Sequence, residues 1–167
     1  YCVSIALRNK HELLLGVVYD PCLDECFYAW KGGGAYLNGQ SLQVSSVRSM
    51  EASFVVTELP YNSEQYARTG EYLIRELYGR VAGIRMNGSA AIALCYVAAG
   101  RFDAWLEAFL GKWDFSAAAL IVQEAGGRVT DFYGNAGFID GHHVVATNGW
   151  LHPFLLELVQ KAMPLGM

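Results

Sequence analysis

The first third of the chain is rich in apolar and β-branched residues, broken by turn dipeptides, which is the pattern of strands. Tyr1 to Arg8 and Leu13 to Tyr19 are two such runs, with Asn9-Lys10 between them as a turn, so a hairpin is predicted. Cys26 to Lys31 reads as a third strand, entered through Asp20-Pro21. Gly32-Gly33-Gly34 follows, and then Asn38-Gly39, a tight-turn dipeptide with short strands on either side. Residues 1–58 are expected to form an antiparallel meander.

The pattern then changes. Ser53 to Thr57 is a strand, and Asn62-Ser63 can cap a helix over Glu64 to Tyr78, whose apolar positions recur at near-helical spacing. Gly83 to Met86 is a short strand. Gly88-Ser89 opens a small-residue helix that ends at Gly100, and Phe102 to Leu106 is the next strand. Asp114 caps a helix to Glu124, closed by Gly126-Gly127. Arg128 to Asp131 and Val144 to Thr147 are strands, and Gly149 to Ala162 is a terminal helix. Residues 59–167 thus alternate α and β, and the whole chain is expected to be one α/β domain, layered, with a mixed sheet.

Composition narrows the function classes. The 167 residues carry 12 Lys and Arg against 16 Asp and Glu, a net charge of −4, which argues against a nucleic-acid-coating protein. The longest apolar run, around Ile92 to Ala99, falls well short of the roughly 18 residues that a membrane span needs. Hydrophobic residues make up 53% and charged residues only 17%, against a typical charged share of ~25%. Disorder is excluded, and a partner face is expected, on a sister subunit or on a further part of the protein. Tyr1 opens directly into a strand with no initiator Met and no leader pattern, so an upstream portion is expected. Cys2, Cys22, Cys26 and Cys95 lack zinc-site spacing and read as free thiols in a reducing cytoplasm.

Three segments are candidates for chemistry. Gly32-Gly33-Gly34 lacks the Lys-Ser/Thr of a phosphate loop and reads as a structural turn. At Asn87-Gly88-Ser89-Ala90-Ala91 a strand gives way to a helix, so exposed amides and the positive helix end favour an anion, although an ordinary Ser cap has the same spacing. Glu107 ends a strand and Asp114 opens the next helix, so the two carboxylates can face one crevice, where hard oxygen ligands suit Mg²⁺. On spacing alone a plain N-cap is the better reading of Asp114. Asp20, Asp24 and Glu25 read as a solvated cluster by a turn. Glu58 ends a strand without a partner in sequence, and Asp140-Gly-His-His143 is a loop whose histidines read as structural.

Trp113-Asp-Phe-Ser-Ala-Ala-Ala-Leu-Ile-Val-Gln-Glu-Ala-Gly-Gly127 resembles the W-D-x-A-A-x-x-x-[IV]-x-x-E-A-G-G signature of the inositol monophosphatase family. Gly16 to Pro21, Gly33 to Gly39, Gly83 to Ala91 and Val144 to Asn148 match further characteristic stretches in family order. The resemblance implies an αβαβα sandwich with an incomplete N-terminal layer, usually a homodimer, and Mg²⁺-dependent, often lithium-sensitive hydrolysis of a small phosphate monoester. It makes Asp114 a catalytic metal ligand, Gly88, Ser89 and Ala90 the segment whose backbone meets substrate, and Glu107 the acid that holds a sugar hydroxyl. Ser89 stands where many members carry Thr, which retains the hydroxyl. Phe115-Ser116 is a mild variation within the W-D signature. The D-P-[IL]-D-G-T motif and its preceding Glu-Glu pair do not occur in the chain; the only Asp-Pro, Asp20-Pro21, aligns elsewhere. The resemblance thus implies an inositol monophosphatase, with two or three Mg²⁺ ions in a complete enzyme, and little or no activity from these residues alone. Alternatives are a fructose-bisphosphatase, a nucleotide bisphosphate or histidinol-phosphate phosphatase of the same superfamily, or a non-catalytic dimerisation fragment.

Overall fold

The computed structural model describes residues 1–58 and 64–163. The first sheet is a meander in chain order: β1 (Val3–Arg8), β2 (Leu13–Asp20), β3 (Glu25–Trp30), β4 (Ala35–Leu37) and β5 (Gln40–Ser41), all antiparallel. Asn38 and Gly39 take φ of 48° and 85°, the left-handed pair that a tight hairpin between β4 and β5 demands. The second sheet contains β6 (Phe54–Thr57), β7 (Gly83–Arg85), β8 (Ala104–Ala108), β9 (Arg128–Thr130) and β10 (His143–Thr147), in the order β7-β6-β8-β10-β9. Here β6 runs parallel to β7 and β8, while β10 is antiparallel to β8 and β9.

The helices are α1 (Glu64–Leu77), α2 (Ala90–Ala98), α3 (Lys112–Glu124) and α4 (His152–Ala162). Helices α2 and α3 pack on each other between the two sheets, and α1 and α4 cover the far face of the second sheet. The described layers therefore run sheet, helix, sheet, helix. A helix wedged between two sheets has no solvent face, so its residues are apolar or small all round. Accordingly Phe115 through Val122 of α3 are all buried, as are Ala91 through Cys95 of α2. The small residues also set the spacing. A Cβ built on Gly16 of β2 would lie 2.3 Å from the Ala117 carbonyl oxygen of α3.

The Gly32-Gly33-Gly34 turn is structural, as its sequence predicts. Gly32 and Gly34 donate their amides to the two carboxylate oxygens of Glu124, at 2.8 and 3.0 Å, which fastens the meander to the C-terminal end of α3. All four cysteines are free thiols. The outer face of the meander is apolar and open: Val3, Ile5, Leu7 and Trp30 are exposed, and Tyr28, Trp30 and Tyr36 stack on it.

Three expectations are corrected. Asp20 is buried rather than solvated, because its carboxylate accepts the Cys22 amide of its own turn at 2.9 Å. Glu25 is not a lone solvated acid either; it pairs with both terminal nitrogens of Arg101. The last helix starts at His152, after Gly149 (φ 89°) and a further turn, so its Gly-rich lead is loop. The Asn62-Ser63 cap lies outside the described residues.

Candidate active site

Parallel strands β6 and β8 deliver their C-terminal ends to one side of the second sheet, and the loops beyond them lead into helices. Such a crevice is where open α/β sheets place ligands. Glu58 follows β6, Glu107 is the penultimate residue of β8, Gly88 and Ser89 precede α2, and Asp114 sits in the first turn of α3. All of them, with Ala90, line one cleft of about 450 Å³. The sequence-derived candidates Gly88, Ser89, Ala90, Glu107 and Asp114 are thus brought together.

Asp114 is not the cap of its helix. Gly111 is the N-cap, and Asp114 stands three residues in, where its Oδ2 accepts the Gly111 amide at 2.9 Å. A carboxylate at this position satisfies one orphan amide and complements the positive helix end. It also leaves the other oxygen for the cleft. The difference matters: a capping Asp faces its own helix, whereas this one is held by a single oxygen.

Ser89 is the N-cap of α2 but makes no side-chain cap bond. Its hydroxyl lies 3.9 Å from Cys2 Sγ. Gly88 takes φ of 71°, which turns the chain sharply into the helix. The turn is held by Glu58, whose Oε1 accepts the amides of Asn87 at 2.6 Å and Gly88 at 2.8 Å. Glu58 has no partner legible along the chain, because its partners are backbone amides, which carry no residue signature.

Glu107 is the most perturbed group in the cleft. Burial pushes its carboxyl up to about 8, and the nearby charges of Glu58 and Asp114 push in the same direction. Its Oε2 is fully buried and has no hydrogen-bond partner among the described residues. A protonated or cation-neutralised acid fits there; a bare carboxylate does not. Among the described residues, those lining the cleft carry these three carboxylates and no basic side chain, so no side chain there offsets the charge of an entering phosphate. His142 and His143 lie beside the cleft but are structural. The His142 ring donates from Nδ1 to the Leu110 carbonyl at 2.8 Å, and His143 Nδ1 accepts the Phe109 amide at 3.3 Å.

The model of the inositol monophosphatase family matches residues 1–163. This chain belongs to that family. It is 44% identical over 166 residues to a Pseudomonas aeruginosa protein named Nus factor SuhB, covering 98% of this chain and 61% of that one. It is 37% identical over 166 residues to the inositol-1-monophosphatase of Rhizobium meliloti, covering 98% and 62%. Among solved structures, the extragenic suppressor protein suhB from Bartonella henselae superposes with a TM-score of 0.90 at 37% identity, covering 96% of this chain and 61% of that one. An IMPase from Thermotoga maritima gives a TM-score of 0.90 at 33% identity, covering 99% and 63%. The chain therefore spans about three fifths of the length of these relatives. In this inositol monophosphatase fold the two acids of the W-D…E-A-G-G stretch divide the work by position. Asp114 opens α3 at the cleft, and Glu124 closes it on the glycine turn.

Proposed function

We propose that the cleft is the substrate side of a metal-dependent phosphomonoesterase site acting on inositol monophosphate or a similar polyol phosphate. One observation carries this reading: three carboxylates without a basic side chain line a cleft that opens on a helix N-terminus. Such a cleft accepts a phosphate ester only when cations accompany it. The donors are hard oxygens, which suit Mg²⁺. Asp114 fits as one ligand, through the oxygen that Gly111 leaves free. It does not suffice, since among the described residues no group of three or more His, Cys, Asp or Glu could hold a metal ion. The proposal therefore includes further ligands beyond Asp114. A cation held by Asp114 would supply Lewis-acid polarisation of the phosphate ester.

The chain's own groups have separable roles in this proposal. Amides of the first turn of α2, beyond Ser89, meet substrate oxygens, helped by the helix end. Glu58 fixes the turn that aims them. Glu107, at the end of β8, accepts a hydroxyl of the alcohol, which supplies the partner that its buried Oε2 lacks. No covalent intermediate is needed. A small-molecule phosphate ester is the expected partner, and a homodimer is proposed from the exposed apolar face of the meander. Among the described residues no helix is long and apolar enough to cross a membrane.

The test is Mg²⁺-dependent phosphate release from inositol 1-phosphate, with Asp114→Asn as control. Asn keeps an acceptor for the Gly111 amide, so the helix start survives while the charge is lost. Release that the substitution cuts by two orders of magnitude or more supports the reading. Release that it leaves untouched overturns Asp114 as a ligand. A second reading, a non-catalytic binding role, is favoured by the incomplete ligand set. It predicts that the full-length protein is folded and yet releases no phosphate.

A further inference from the structure

Among the described residues, two buried side-chain polar atoms lack a hydrogen-bond partner: Trp105 Nε1 and Glu107 Oε2. Both belong to β8, two residues apart. Alternate residues of a strand share a face. The two faces of β8 meet different cores. Ala104, Leu106 and Ala108 pack in the core under α1 and α4, whereas Trp105 packs in the core that holds α2 and α3. Glu107 lines the cleft with the starts of the same two helices. Trp105 and Glu107 therefore point to one side of the sheet. One orphan is a donor and the other an acceptor.

A buried indole whose N–H stays unpaired bears the full cost of its desolvation, and a phenylalanine at the same place would avoid it. The surroundings of Trp105 offer no better acceptor. Its cross-strand neighbours are Val56 on β6 and Ala146 on β10, and Val144 stands opposite Glu107. The buried residues of α2 and α3 are apolar or small except for Cys95 and Ser116, and Ser116 turns its hydroxyl to the Lys112 carbonyl at 2.5 Å. Two residues of strand span roughly 6.6 Å, a separation that side chains of this length and one water bridge.

Building on the phosphomonoesterase reading, we propose that Trp105 is a positioning residue for Glu107: its indole N–H donates to one buried water, which donates in turn to Glu107 Oε2. The carboxyl group is thereby held from behind. A carboxylate oxygen accepts more than one bond, so the substrate hydroxyl keeps its place on Glu107. The tie fixes the carboxyl group before substrate arrives, and a group already fixed binds without the entropic cost of being ordered. Trp105 itself touches no substrate, since it is fully buried and does not line the cleft.

The experiment uses the full-length protein and two independent readouts. The first is nuclear magnetic resonance with the indole nitrogens labelled. The Trp105 N–H is assigned through Trp105→Phe, or through Trp105→Tyr should the first variant not fold. It is expected to show magnetisation transfer from a long-lived water, and Glu107→Leu, which fills the space without an acceptor, is expected to abolish that transfer. No transfer, or transfer that Glu107→Leu leaves in place, overturns the tie. The second readout is kinetic. It compares inositol 1-phosphate with cyclohexyl phosphate, the same ring without hydroxyls for Glu107 to hold. Trp105→Phe is expected to raise KM for the inositol ester about fivefold, the scale of one hydrogen bond, while leaving kcat and the cyclohexyl ester within about twofold. Equal effects on the two esters make the role of Trp105 structural and overturn the positioning. If the folded protein hydrolyses neither ester, the phosphatase reading fails, and the first readout alone upholds or overturns the tie.

Discussion

The Oε1 atom of Glu58 accepts the amide of Gly88 at 2.8 Å, across thirty residues of sequence. The same oxygen takes the Asn87 amide, so one carboxylate holds the whole turn that leads into α2. Hydrogen bonds to a charged acceptor contribute about 1.5–3 kcal/mol each when buried, and less where water can replace them. Glu58→Ala is therefore expected to lower stability by about 1–2 kcal/mol in urea titrations, with Glu58→Gln losing less than half as much. An unchanged Ala midpoint would show that the turn holds itself.

Glu107 ties stability to pH. Its carboxyl titrates near about 8 in the fold, against about 4.5 when unperturbed. The folded protein keeps a proton that the unfolded chain gives up. Stability is thus full below about pH 4.5 and is lost as pH rises toward 8, by up to about 4–5 kcal/mol, with solvent reaching the cleft reducing that figure. In cation-free buffer, Glu107→Gln should flatten this decline between pH 5 and 8. A variant that declines in parallel with the parent protein would assign the slope to another group.

His152 works in the opposite direction. Its ring is fully buried between Thr130 and Thr147, at 2.9 Å from Nε2 and 3.1 Å from Nδ1. Thr130 spends its own proton on the Asp131 carbonyl, so Nε2 donates and Nδ1 accepts. The ring is neutral, and burial pushes its titration down to about 4, assisted by the charge of Arg128. The unfolded chain takes up the proton first, near 6.5. Stability is full above that value and falls as pH drops to about 4, by roughly 3 kcal/mol. Replacement by Gln should remove this acid-side loss from a series of melts between pH 4 and 7.

Gly16 faces the backbone of α3 with no room for a methyl group. A Cβ would sit 2.3 Å from the Ala117 carbonyl oxygen, and a backbone atom cannot swing aside. Gly16→Ala is expected to cost about 3 kcal/mol or more, at the upper end of overpacking effects. Chemical denaturation measures it directly. A midpoint within about 1 kcal/mol of the parent would mean that α3 is free to lift from β2.

Much of this was legible along the chain. The small-residue helix α2 and the small and apolar middle of α3, Phe115 to Val122, announce themselves through composition, because a helix segment between two sheets has no solvent face to display. The acids at the ends of β6 and β8 follow from element boundaries, and the same boundaries put Glu107 and Asp114 at one crevice. Less visible was whatever depends on backbone partners. Glu58 bonds to amides that any residue possesses. Asp114 moved from cap to third position because Gly111, with no side chain to signal, took the cap. Asp20 departs from expectation because an acid by a Pro turn usually faces water, whereas this one folds back on its own turn. Phe109, at φ 66°, carries no signal at all, since left-handed backbone is marked in sequence by glycine, not by phenylalanine.

The cleft draws its carboxylates and amides from residues 58, 88, 107 and 114, which reach it from two strands and two helices. None of these contacts is local in the way that a helix turn or a hairpin is. Each requires a loop to close first, including the parallel crossover from β6 to β8, and loop closure is the slow, entropically costly part of folding. The site is therefore complete only when β6, β8, α2 and α3 are all in place. A partly folded chain has helices and hairpins but no cleft, and ligand affinity is a stricter gauge of complete folding than helix content is.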